Sequence, residues 1–231
     1  MTQHIHRRTM IAFIASAGTL AAMPSTLSAQ SLGDLLGGGG LNLSSILGRA
    51  TDNALDKLAE PGAFYDDEDI RIGLPIIGGG SERRGLFGSL LNAGSELGIL
   101  DGITRRINDA AGVAAGEAKP VFRDAIDDLS FSDAPGIIRE KDGGTQYLRR
   151  SSNDRLHERL EPLVDSALEA AGVYSTFDGL AEQHSFIRRA GLDREKINRT
   201  VTDQGLDGIF SYIGAEERGF RDDPIGGLLG S

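Results

Sequence analysis

The 231-residue chain has no cysteine and no tryptophan, and only 6% of it is aromatic. The missing thiols exclude a disulfide scaffold, an iron–sulfur centre, a thiolate zinc site and a cysteine nucleophile. Without disulfides, stability has to come from burying aliphatic side chains. Positive charge is also short. With 24 Lys and Arg against 34 Asp and Glu, the formal net charge is −10, which argues against a protein that neutralises nucleic-acid phosphates. The apolar run Met10–Met23 is fourteen residues, interrupted by Ser16, Gly18 and Thr19. A helix that spans a bilayer needs roughly twenty. No alternating strand pattern of useful length and no repeat of fixed period can be found.

Familiar catalytic signatures are missing as well. No Gly-x-Ser-x-Gly elbow occurs, and Gly78-Gly79-Gly80-Ser81 lacks the Lys-Ser/Thr of a phosphate loop. Asp154 and His157 have the spacing of half a di-iron helix motif, but no second copy accompanies them. The acidic run Asp66–Asp69 lacks the alternate-oxygen spacing of a calcium loop, and Arg71 falls where a ligand belongs. Neither a metal nor a cofactor is expected. The pairs Arg149-Arg150 and Arg188-Arg189 read as salt-bridge partners.

The N-terminus is an address. His4, His6, Arg7 and Arg8 precede the apolar run, and Leu27-Ser28-Ala29 offers a cleavage site before Gln30. This is the layout of a secretory signal peptide over residues 1–29, with a short membrane anchor as the alternative. Arg7-Arg8-Thr9-Met10-Ile11 also fits a twin-arginine signal, so the export route stays open between that and general secretion. The expected destination is the periplasm. Cleavage would leave 202 residues and, because Arg7 and Arg8 leave with no acidic residue, a net charge of −12. A chain of that size suits one domain.

Residues 30–41 read as a Gly-rich flexible leader, 42–223 as a single helical domain and 224–231 as a short flexible tail. Leu43, Ile46, Leu47, Ala50, Ala54 and Leu58 make one helical stripe, ended by Pro61-Gly62. A long connection follows from Phe64 to Gly80, then a weaker helix from Gly85 to Leu97, stopped by Gly98. From Asp101 to Leu129 the apolar phase holds across Pro120. This predicts one kinked helix or two successive ones, with an alanine-lined middle at Ala110, Ala111, Ala114, Ala115 and Ala118. Ser132 caps a short helix to Arg139. Asp142-Gly143-Gly144 is expected to turn. Leu156, Leu160, Leu163, Ala167 and Ala171 mark a helix bent near Pro162 and stopped by Gly172. Tyr174, Phe177 and Leu180 mark another. Leu206, Ile209, Phe210, Ile213 and Phe220 share a stripe that leaves Ile197 and Val201 on the opposite side, so a break is expected near Thr202. The fold class is all-α, a single-domain bundle of about seven to nine helices, some kinked at proline.

The segment Thr202–Pro224 resembles the signature of the DUF4197 family, exported bacterial proteins without an assigned activity. The family pattern is ALDGLF, a short spacer, EE, then IR and a proline. Leu206, Asp207, Gly208, Phe210, Glu216, Glu217, Arg221 and Pro224 match it. Further matching patches are Arg71-Ile72 with Leu74-Pro75, Asn108 with Ala110-Ala111, Phe122 with Ala125-Ile126, and Thr145 with Tyr147. The chain departs from the pattern at Gly73, where the family usually has Pro, and at Gly144, where it usually has Ala. The resemblance implies a mostly helical exported protein and supplies no reaction.

Glu217 is the residue of most interest, because its helical position lies close to the centre of an apolar stripe. A carboxylate there must find a cation or take up a proton. Arg221, one turn on, and Arg71 are the candidate partners. A register-fixing ion pair is the first reading, and a ligand or catalytic role the second. Asp207 and Glu216 flank the stripe and would complete a set of acid–base carboxylates. The favoured function is a periplasmic protein that binds an envelope protein or an apolar small molecule. The alternatives are a carboxylate-dependent hydrolase or lyase centred on Glu217, and a structural protein that self-associates through its alanine-lined helix.

Overall fold

A computed structural model describes residues 39–73, 97–130, 140–183 and 193–222. These contain seven helices and no strand: α1 Gly39–Leu58, α2 Ala63–Asp66, α3 Leu97–Glu117, α4 Lys119–Asp127, α5 Gly143–Ala170, α6 Val173–Gln183 and α7 Arg194–Asp222. All of them fall in one compact unit, Gly38–Ser231. The expected helices at 85–97 and 132–139, the Met10–Met23 run and the tail 224–231 lie outside the described residues.

The apolar stripes do as their spacing demands. Leu43, Leu47, Ala50, Ala54 and Leu58 of α1 are buried. The chain then turns at Gly62, whose positive φ of 84° suits a residue without a Cβ. Within the segment read as a long connection, α2 forms a single turn and buries Phe64. Pro120 sits in the first turn of α4, where its missing N–H removes no helical bond. Of the two readings of that stretch, two successive helices is therefore the one observed. Gly172, with φ of 68°, ends α5. The Ala171 and Gly172 amides close back onto Ala167 and Glu169.

Three expectations need correction. Gly98 does not stop a helix but lies inside α3, and Gly143 and Gly144 are not a turn but the first residues of α5. The third concerns the C-terminal segment, where α7 runs unbroken from Arg194 to Asp222. Its buried residues include a row at i, i+4 spacing, namely Ile197, Val201, Gly205, Ile209, Ile213 and Glu217. Such a row advances about 40° around the axis at each step. The helix therefore buries nearly opposite sides at its two ends, and the phase change that resembled a break is a change of neighbour.

α7 packs chiefly on α1 and α5, and α3 on α5. The alanines of α3, with Ala118 at the junction to α4, allow this close stacking. Ala110, Ala111, Ala114, Ala115 and Ala118 are all buried within the protomer. The stripe faces its own chain and is not a surface for self-association. Beside it, Gly112 brings α3 against the end of α1, where an added Cβ would lie 3.2 Å from the Leu58 carbonyl oxygen. The cavity bordered by Ala111, Ala114, Ala115, Val201 and Gly205 is about 20 Å³, room for about one water.

The start of α7 is tied to α5 and α6 by a polar cluster. Arg194 donates to both oxygens of Asp165, at 3.0 and 2.8 Å, and lies over the Tyr174 ring at 4.3 Å. Tyr174 donates its hydroxyl to Asp165 at 2.7 Å. The Arg194 hydrogen bonds hold the Asp165 carboxyl below the usual carboxylate range. A carboxyl with a lowered folded pKa stabilises above its unfolded value of about 3.9, and that contribution disappears as pH falls through the folded value. The gap in unfolding free energy between the wild type and Asp165→Asn should therefore be open at pH 7 and should close below pH 4, measured by urea titration across that range.

Candidate functional site

The motif residues of α7 point in several directions, and each side chain has a separate task. Gly208 faces α2 and the segment after it. A Cβ there would lie 3.0 Å from Phe64 and 3.3 Å from Ile70, so only glycine permits that approach without displacement. Phe210 is buried, with its ring edge-on to Phe122 at 6.0 Å. Asp207 is exposed and paired with Arg149. Glu216 turns to α1, pairing with Lys57 and accepting from Asn53 at 3.4 Å.

Glu217 is fully buried, with 0% exposure, and its carboxylate occupies the N-terminus of α5. Oε1 accepts from the Gly144 amide at 3.0 Å and from Arg221 Nε and Nη2 at 3.1 and 2.7 Å. Oε2 accepts from the amide and the hydroxyl of Thr145, each at 2.7 Å. The first amides of a helix have no intrahelical partner. Here Gly143 donates to Glu140, Gly144 and Thr145 donate to Glu217, and Gln146 donates to the Asp142 carbonyl, so every amide of the first turn is satisfied. The partial positive charge of the helix end favours the same carboxylate. Asp142, at the capping position itself, makes no side-chain cap bond. It accepts instead from Gln146 at 2.8 Å and Arg218 at 2.5 Å. The cap of α5 is thus supplied by a residue 72 positions beyond Thr145.

Gly144 lets the carboxylate come close to the helix backbone. A Cβ there would sit 2.9 Å from Oε1 of Glu217. Arg221 is confirmed as the cation. Arg71 is corrected: it donates to the Tyr65 carbonyl, and its guanidinium carbon lies 4.9 Å from the centre of the Tyr65 ring, so its partner is Tyr65 and not Glu217.

Two residues outside the expected site carry comparable structural weight. Asn108 of α3 is buried and exchanges a pair of hydrogen bonds with Ile72, accepting from its amide at 2.8 Å and donating to its carbonyl at 2.9 Å. Gln204 of α7 accepts from the Gly73 amide at 3.1 Å. These carboxamides hold an extended segment as a neighbouring strand would. A proline at 73 would lack the donated N–H. The sequence signals for Asn108 were its place in a family-matching patch and its position beside a small-residue stripe. Asp67, from the acidic run, accepts from Tyr212 at 2.8 Å. Burial, aided by this bond to Asp67, pushes the Tyr212 hydroxyl up to about 12. His157 Nε2 of α5 lies 2.9 Å from Asp203 Oδ1 of α7 but without hydrogen-bond geometry. Among the described residues no group of three or more His, Asp or Glu is placed to hold a metal ion.

Above the Glu217 lock, α5 and α7 run antiparallel and leave a cleft of about 290 Å³. Asp142, Gln146 and Arg149 form one wall, Asp207, Ser211 and Arg218 the other, with Phe210 and Gly214 between them. Ion pairs Arg149–Asp207 and Arg218–Asp142 cross it.

These features define a helical protein whose C-terminal motif closes the bundle by capping a second long helix. The model of the DUF4197 family, described as proteins of unknown function, matches residues 40–227, and the chain belongs to that family. No curated protein and no solved structure matches it.

Glu217→Gln keeps the shape but presents an amide to donors and removes the charge opposite Arg221. Breaking a buried pair costs about 3–5 kcal/mol, and a loss of roughly 3 kcal/mol in unfolding free energy is expected by urea denaturation. Gly144→Ala should also destabilise, by about 1–3 kcal/mol as for other overpacked sites. A wild-type melting curve for both variants would remove the lock.

Proposed function

We propose that this is an exported periplasmic protein that works by binding, with the α5/α7 cleft as its binding place. The observation that carries the proposal is the saturation of Glu217. A carboxylate offers about four lone-pair sites, and Glu217 already receives five donors. Neither oxygen is left open to a bound substrate. Asp207 and Glu216 are engaged with Arg149 and Lys57 on different sides of α7, so the carboxylates do not converge as the hydrolase or lyase reading requires. The cleft exposes polar and apolar surface in about equal measure and is crossed by two ion pairs, and the apolar cavity of about 20 Å³ is too small for an organic ligand. Both favour a polar ligand over the apolar one expected from sequence. Val113, 57% exposed, is the large hydrophobic residue standing in solvent among the described residues, so no broad apolar docking face supports a protein partner there. No helix among the described residues is long and apolar enough to cross a membrane.

Export rests on the basic start and the apolar run that precedes Gln30. The mature protein recovered from the periplasmic fraction should begin at Gln30, read by N-terminal sequencing. An intact Met1 on a membrane-bound product would instead identify an anchor. Native mass spectrometry of that same material should show a copurifying small polar molecule. Turnover of a substrate that is lost in Glu217→Gln while the fold survives would replace binding with catalysis.

A further inference from the structure

We propose that the α5/α7 cleft takes a short peptide with free termini, about three residues long, held as a zwitterion; this rests on the cleft being the binding place. The first ground is charge. In a chain of net charge −10, the cleft carries two guanidiniums and two carboxylates. Arg149 and Asp207 stand at one end, Arg218 and Asp142 at the other. The side chains of three of these four groups are between 45% and 63% exposed. Exposed pairs of this kind are worth little in water, so they can exchange partners. A ligand with a carboxylate and an ammonium replaces each broken pair with another. An anion alone would leave Asp142 or Asp207 facing it, and a cation alone would leave a guanidinium.

The second ground is length. Arg149 lies seven residues beyond Asp142, about 10 Å along a helix at 1.5 Å per residue. An extended chain covers about 3.3–3.6 Å per residue, so three residues join the two ends. The volume, about 290 Å³, belongs at the small end of ligand sites. The third ground is the lining of the cleft. Gly214 leaves the end beside Arg218 and Asp142 open, where a Cβ would stand 3.3 Å from Arg218 Nη1 and 3.7 Å from Asp142 Oδ2. Gln146 and Ser211 offer an amide and a hydroxyl to a peptide backbone. Gln146 is held to Asp142 at 2.8 Å, which aims it along the cleft.

The test is calorimetry on the mature protein at low salt, with trialanine as the probe. N-acetyl-trialanine, trialanine amide, succinate and 1,4-diaminobutane serve as comparisons. Trialanine should bind one to one, and each capped peptide at least tenfold more weakly. Arg149→Ala and Arg218→Ala should each weaken trialanine at least tenfold. Ser211→Trp should abolish binding by filling the cleft with every charge retained. Arg150→Ala, outside the cleft, should change nothing. Circular dichroism melts show which variants are folded, and Ser211→Trp carries the test if Arg218→Ala is not. The proposal falls if no probe gives heat, if capped peptides, succinate or the diamine bind as well as trialanine, or if the cleft variants bind normally. Should native mass spectrometry show a different polar ligand, lost in Ser211→Trp, the cleft remains the binding place and only the peptide assignment fails.

Discussion

The carboxylate of Glu217 at the head of α5 joins the two longest helices, and the rest of the C-terminal half is arranged to admit it. Burying a charge is costly unless partners replace its water. Here two backbone amides, one hydroxyl and one guanidinium do so. Each partner imposes a condition. The amides must belong to the first turn, because only there are they free of helical bonds. At position 144 a Cβ would stand 2.9 Å from Oε1, so a larger residue there would displace the carboxylate as it is placed here. Arg221 must follow one turn after Glu217 to reach the same oxygen. Asp142 cannot cap the helix at the same time, and it turns to Arg218 and Gln146. The register of α5 against α7 follows, and from that register the position of Arg149 beside Asp207.

Much of this was legible in the residues, and the failures have a common cause. Apolar stripes identified α1, α6 and the second half of α5, whose own buried row Leu148, Ser152, Leu156, Leu160, Val164 and Leu168 is also at i, i+4 spacing. α7 defeated the same reasoning because a row at i, i+4 drifts around the axis. Read as a stripe facing one neighbour, Ile197 and Val201 conflict with Leu206 and Phe210. Read as a helix crossing from one neighbour to another, they agree. The burial of Glu217 and its pairing with Arg221 could be anticipated from four-residue spacing alone. The other three donors could not, because no local pattern announces that a helix start 72 residues upstream will lack its own cap. Gly143-Gly144 misled in the same way. Paired glycines commonly mark turns, and here one of them makes room for a side chain that is remote in sequence.

Asn108 and Gln204 belong to the same class of long-range contact. An extended segment has amides and carbonyls that a helical bundle does not pair, and leaving them buried and unpaired costs about 1–3 kcal/mol each. A side-chain amide carries one donor and one acceptor side by side, so it can complete a residue's backbone as a strand would. Asn108 does so for Ile72, and Gln204 reaches Gly73. Ile72 is thereby buried against Gly205 of α7, and the glycine at 73 retains the N–H that the contact uses. This gives a physical reading to the family patch at Arg71-Ile72 and Asn108: the segment after α2 is fastened to α3 and α7.

The lock and the cleft share residues, and this limits how they can change. Thr145 donates to Glu217 from below and borders the cleft from above. Arg218 and Asp142 span the cleft one residue from the carboxylate on α7 and two from the capped amide of Gly144 on α5. Anything that occupies the cleft therefore touches the groups that set the helix register. A ligand that binds only the folded, capped arrangement stabilises it by mass action in proportion to its occupancy. By linkage, weakening the cap would lower affinity for such a ligand only as far as it depopulates the capped arrangement. A single geometry thus holds the bundle closed and shapes what lies on it.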